Sequence, residues 1–145
     1  MKHFKDIKKK IEWEQYYDPD FNWNNPVFYF YNDLSEDFIR EFKDKVDWHN
    51  ISIQQKLSEE FIREFKDKVN WEYVSQCQKL SEDFIREFKD KVNWHNISIK
   101  QKLSEWFIIE FKDKVDWEMI SYYQTLSADF IREFKKKVSW KVKGR

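Results

Sequence analysis

The sequence predicts an all-α protein: a solenoid of αα-hairpins repeated every 23 residues, behind a divergent, aromatic-rich N-terminal cap. Three observations predict it. The 145-residue chain repeats itself, with residues 34–56, 57–79, 80–102 and 103–125 as full copies of one unit and 126–145 as a truncated one. Within each copy the apolar residues recur at helical spacing. Each copy also carries two separate helix-start signals instead of one. Copies one and three differ only at positions 47/93 and 54/100, a likeness that chance does not produce.

Residues 1–33 form the divergent cap. Ile7-Lys8-Lys9-Lys10-Ile11-Glu12-Trp13 aligns with Phe42-Lys43-Asp44-Lys45-Val46-Asp47-Trp48. Phe21-Asn22-Trp23-Asn24-Asn25 again sets an N-cap residue before a tryptophan, and Pro26 falls in the first turn of the helix this predicts, where proline is tolerated. Asp18-Pro19-Asp20 is the clearest break. The run Phe28-Tyr29-Phe30-Tyr31 has the chemistry to cover the open end of a solenoid; a platform for stacking a ligand is the other reading.

Each copy then opens on Leu34-Ser35 or its equivalent. Ser35 is a preferred N-cap, Leu34 and Ile39 stand at the two positions of a hydrophobic staple, and Glu36 and Asp37 suit the positive end of a helix dipole. Phe38, Phe42 and Val46 follow at i, i+4 and i+8, so the spacing predicts a longer first helix with an apolar stripe. Glu36–Arg40 and Glu41–Lys45 are i, i+4 ion pairs on its solvated face. A second start lies at Asp47, whose equivalents Asn70, Asn93, Asp116 and Ser139 are all good N-caps. It predicts a shorter helix from Trp48 to about Lys56, with Trp48, Ile51, Ser52 and Gln55 facing inward and Ser52 permitting close helix approach. A single continuous helix or coiled coil is the rival architecture. A period of 23 fits neither heptads nor eleven-residue repeats, and a straight rod strands the tryptophans off the phenylalanine stripe.

The unit LSEDFIREFKDKVDWHNIS at residues 34–52, echoed to residue 140, resembles short tandem repeats in proteins of giant DNA viruses and some phages. The likeness spans about three quarters of the chain and leaves out residues 1–33. It implies an adaptor or inhibitor of a host or defence protein, and no catalytic residues to carry over.

Composition narrows the function. Lys+Arg and Asp+Glu number 27 each, so the net charge is zero and draws the chain toward neither nucleic acid nor anionic lipid. No window reads as a signal peptide or membrane span, and Cys77 is the lone cysteine, so the expectation is a cytoplasmic protein, in the host cell if viral. His3, His49 and His95 fall in no metal-binding spacing, one glycine excludes a glycine-rich phosphate loop, and repeated carboxylates offer repeated environments instead of the two unlike ones a catalytic pair needs. No catalytic residue, metal or cofactor is expected.

The differences between copies point to binding. Positions equivalent to 49, 50, 53 and 54 diverge and form one outward stripe that includes His49, Tyr73 and His95. Copy four adds Trp106 where other copies have an acid and Ile109 where they have arginine, together with Met119, Tyr122 and Tyr123. These residues predict a protein-binding hot spot. Packing against the C-terminal copy, or a homodimer contact, is the competing use. One alternative function is nucleic-acid binding through Lys135, Lys136, Lys137, Lys141 and Lys143 with stacking on exposed aromatics, and another is a self-assembling structural element that pairs chains through copy four.

Overall fold

The computed structural model describes residues 13–138. Among them are a 3-10 turn at Glu14–Tyr17 and ten α-helices. They are α1 Pro26–Tyr31, α2 Glu36–Glu41, α3 Trp48–Gln54, α4 Glu59–Glu64, α5 Trp71–Cys77, α6 Glu82–Glu87, α7 Trp94–Lys100, α8 Glu105–Glu110, α9 Trp117–Tyr123 and α10 Ala128–Glu133. The even-numbered helices are the first helices of copies one to five, and α3, α5, α7 and α9 are the second helices of copies one to four. The protein is a helical-repeat solenoid in which α1, α3, α5, α7 and α9 pack each on the next.

Helices of six or seven residues do not persist alone, so caps and packing must hold them. Ser35 Oγ accepts from Phe38 N–H at 3.0 Å, and Ser58, Ser81, Ser104 and Ser127 repeat the bond. Asp47 Oδ1 accepts from His49 N–H and Asn50 N–H, and Asn70, Asn93 and Asp116 cap their helices likewise. Ser139 lies outside the described residues.

The first helix is shorter than its apolar stripe predicts. It ends at Phe42, whose φ and ψ of −106° and 26° leave the helical region, and the chain turns through residues 43–46. The physical reason is a side chain further on: Trp48 Nε1–H donates to the Lys43 carbonyl at 3.0 Å, taking an acceptor that a continuing helix would use. Trp71, Trp94 and Trp117 do the same at Lys66, Lys89 and Lys112. Phe42 and Val46 remain buried because Val46 N–H closes a turn on the Phe42 carbonyl.

One continuous core runs along the array. Phe38, Ile39, Ile51, Phe61, Ile62 and Val74 are at most 3% exposed and recur copy by copy. Each tryptophan reaches forward: Trp48 lies 6.2 and 5.0 Å from the rings of Phe61 and Phe65 in the next copy, and Trp71 and Trp94 repeat the arrangement. Burying a side chain of this size contributes roughly 1.5–3 kcal/mol before ordering costs. No single hairpin buries these rings by itself, so the array is the unit of stability.

The cap extends the same plan with an altered register. Its helix starts at Asn25, which accepts from Val27 N–H, with Pro26 at the first helical position; Trp23 precedes that helix instead of opening it. Trp23 nonetheless stands 6.2 and 5.2 Å from the rings of Phe38 and Phe42, the placement Trp48 has in the next copy. The aromatic run divides. Phe28 and Tyr29 pack on the core, whereas Phe30 and Tyr31 are exposed. Of the segment aligned with Phe42–Trp48, only Trp13 is described, and it packs edge-on against Phe38.

Candidate interaction surface

Hydrogen bonds between copies build the frame that presents the surface. Gln55, Gln78 and Gln101 are buried, and each amide ties three backbone groups. Gln78 Oε1 accepts from Leu57 N–H at 3.0 Å, while its Nε2 donates to the Ser52 and Gln55 carbonyls of the preceding copy at 2.9 and 2.7 Å. Gln101 and Gln124 repeat the clasp, and Gln55 makes it to the cap through the Tyr29 and Asn32 carbonyls. The carbonyls left over at each short helix's end are satisfied by the next copy. Ser52 is more than a spacer: its hydroxyl donates to the Trp48 carbonyl and accepts from Asn70 N–H at 2.9 Å.

A second ladder lies at the surface. The Glu36 carboxylate accepts from both N–H and O–H of Ser58, the next copy's cap residue, taking between copies the part that the N3 acid plays in a capping box. Glu59, Glu82 and Glu105 continue it. Ala128 takes that position in copy five and offers no carboxylate onward.

Arginines form the third ladder. Arg40 reaches Glu64 in the next copy and Asp37 on its own helix, in place of the expected Glu36. Arg63–Glu87 and Arg86–Glu110 repeat the forward pair, and each guanidinium lies 5.3–5.6 Å from a phenylalanine ring of the next copy. The Arg63 hydrogen bond holds Glu87 below the usual carboxylate range. Lys68, paired at 3.8 Å with Asp44 of the preceding copy, and its equivalents add weaker links.

Copy four departs from this lattice at two linked places. Asp37–Arg40, Asp83–Arg86 and Asp129–Arg132 are i, i+3 ion pairs, and Trp106 and Ile109 replace both members of that pair at once. Trp106 is 81% exposed, whereas the other described tryptophans are partly buried against the core. Ile109 packs on the core edge where an arginine stem runs in other copies. Glu133 consequently has no arginine partner in copy four.

The remaining candidate residues lie elsewhere. Met119, Tyr122 and Tyr123 belong to α9, the helix packed against α7, so the five apolar residues of copy four divide between its two helices. Tyr123 is 60% exposed, and Met119 and Tyr122 are half-buried. The stripe at 49, 50, 53 and 54 is not wholly outward, since Asn50 is buried and Tyr73, Asn96 and Met119 at its equivalents are half-buried between stacked helices. His49 meets the Tyr73 ring edge-on at 4.6 Å. His95 Nδ1 lies 2.8 Å from Asp116 Oδ2, and that hydrogen bond depresses the Asp116 carboxyl. Lys135, Lys136 and Lys137 are exposed, with Lys137 Nζ 5.8 Å from the Trp117 ring. Lys141 and Lys143 lie outside the described residues.

Among the described residues no group of three His, Cys, Asp or Glu side chains converges to hold a metal, and no helix is long and apolar enough to cross a membrane. Comparison with protein-family models, curated proteins and solved structures gave no match.

Proposed function

We propose that the chain is a non-enzymatic scaffold that binds another protein through the α8 face, with Trp106 as anchor and Ile109 beside it. The observation that carries this reading is the joint replacement of an ion pair by an apolar pair. Drift at one position of an i, i+3 pair leaves the other charge of that pair behind; here both members are replaced, Glu133 of the next copy remains, and a tryptophan stands in solvent, with no hydrogen bond or ring contact among the described residues. Tryptophan is the residue most enriched among interface anchors, and burying one against a partner supplies the energy a hot spot needs. The likeness of the repeat to viral and phage proteins favours a host or defence protein as the partner.

The test restores copy three's residues with Trp106→Asp and Ile109→Arg. Affinity capture from host lysate should lose its specifically retained protein from the double variant, with helicity unchanged by circular dichroism. Undiminished recovery removes the α8 face from the reading. If light scattering instead shows the wild type as a dimer and the double variant as a monomer, the partner is a second copy.

A further inference from the structure

A shallow channel runs along the array where the second helix of each copy ends and the next copy begins. Its segments enclose about 680, 410 and 330 Å³. They are contiguous: Cys77 and Lys79 line the first and second, and Lys100 and Lys102 the second and third. Neither Trp106 nor Ile109 lines it, so it is separate from the α8 face.

Two independent features of the lining point to a ligand. The first is charge. Lys56, Lys79 and Lys102 occupy one repeat position, Lys100 joins them, and all four are exposed and form no ion pair among the described residues. Arg40, Arg63, Arg86, Lys68, Lys91 and Lys114 are paired across copies, and Lys43, Lys66, Lys89 and Lys112, exposed and without an ion pair among the described residues, line none of these segments, so the channel is where unpaired lysines border a groove. The one carboxylate in the lining, Glu59, is occupied by Ser81. The second feature is variation: one repeat position in the lining reads Gln54, Cys77, Lys100 and Tyr123 in successive copies. In copies one to three an unpaired lysine therefore lies beside a side chain that changes from copy to copy, above buried Leu57, Leu80 and Leu103, and copy four has Thr125 at the lysine's position.

We propose that this channel binds an extended acidic peptide in the polyproline II conformation, each of copies one to three engaging three peptide residues. Packed helices stand about 8–10 Å apart, which sets the spacing of the lysines. A polyproline II chain rises about 3.1 Å per residue with three residues per turn, so every third side chain returns to the same side after about 9 Å. A carboxylate at every third position meets Lys56, Lys79 and Lys102 in turn, and the variable position beside each lysine contacts the residues between. A β-strand repeats its sides after about 6.7 Å and falls out of step. A single nucleic-acid strand needs stacking aromatics along its groove, where the channel offers Tyr123 alone.

The test is fluorescence anisotropy of labelled peptides titrated with the full chain at low salt. The probes are four tandem Glu-Pro-Pro units, a peptide with the same four glutamates at every second position, four tandem Lys-Pro-Pro units, and a twelve-nucleotide oligothymidine. The Glu-Pro-Pro peptide should bind tightest. Its affinity should fall about tenfold in the Lys56→Ala, Lys79→Ala, Lys102→Ala variant, and measurably in Lys79→Glu alone, while Trp106→Asp leaves it unchanged. Equal binding of both glutamate spacings overturns the three-residue register. Tighter binding of the oligonucleotide assigns the channel to nucleic acid instead. Insensitivity to the lysine variants, or no binding by any acidic peptide, overturns the site, whatever becomes of the α8 face.

Discussion

In the N-terminal cap the residues change and the contacts persist; in copy four the interior persists and the surface contacts change. Tyr29 stands one period before Ser52, and its hydroxyl donates to the Trp23 carbonyl and accepts from Asp47 N–H, as the Ser52 hydroxyl does with Trp48 and Asn70. The longer side chain spans the shift in register that separates Trp23 from its helix. Tyr17 stands one period before Arg40 and donates to Glu41 at 2.7 Å, as Arg40 does to Glu64. Copy four keeps buried Phe107, Ile108, Phe111 and Ser121 and the Gln124 clasp, yet drops the ion pair at 106 and 109. A buried polar group left without a partner costs about 1–3 kcal/mol, whereas an exposed ion pair contributes roughly 0–1 kcal/mol. Inter-copy contacts in the interior must therefore be reproduced by whatever residue is at hand, and the exterior is free to take up binding.

The largest expected effect tests whether the cap is energetically a copy. Gln78→Leu leaves Leu57 N–H and the Ser52 and Gln55 carbonyls buried without partners, a loss of about 3–5 kcal/mol that lowers the urea midpoint. Gln55→Leu removes the matching three contacts at the cap boundary and should cost the same. A clearly smaller loss there breaks the equivalence and makes residues 13–33 an appendage.

Next comes the hydroxyl. Tyr29→Phe should destabilise by about 1–3 kcal/mol, close to Ser52→Ala. Burial pushes Tyr29 up to about 12, with the Asp47 charge adding to the rise, while Asp47 N–H pulls the other way. An unfolded tyrosine ionises near pH 10, so this raised value contributes stability that is complete below about pH 10 and is lost as pH rises through about 12. In wild type Tyr29 should titrate last in tyrosinate absorbance, with Tyr17 also raised by burial and its Glu41 hydrogen bond, and Tyr29→Phe should remove the last-titrating component.

The smallest effect belongs to copy four. Asp116→Asn installs the residue that copies two and three have as Asn70 and Asn93. Because the His95 hydrogen bond lowers Asp116, the carboxylate contributes stability present above the ordinary value of 3.8 and lost as pH falls through its own lower one. The pair is exposed, so the difference between wild type and variant in acid melting curves should be small and should shrink further with salt.

Much of the array can be read from residues alone. The serine and Asp/Asn caps, the inward Ile51 and the proline at the start of α1 follow from rules that act within one turn of backbone. The end of the first helix at Phe42 does not, because it depends on an indole five residues beyond Lys43 finding that carbonyl. Gln55 is visibly constant and reads as inward-facing, but its acceptors are 23 and 26 residues away on the chain. Arg40 has a local partner at Glu36 that looks sufficient, and stacking supplies Glu64 instead. At the surface, Trp106 stands out by comparison with Asp37, Glu60 and Asp83, whereas the packing of Ile109 on the core edge and the exposure of Trp106 are decided by the stacked copies.

The period, the two capped helices per copy and the anomaly at 106 and 109 are written in the chain, because capping and amphipathic spacing are local and repetition multiplies their signal. The glutamine clasp, the glutamate–serine capping bonds between copies, the forward arginine pairs and the lysine-lined channel exist only once copies stack. Their partners lie about one period apart in sequence and become neighbours through the burial of the phenylalanine and tryptophan rings.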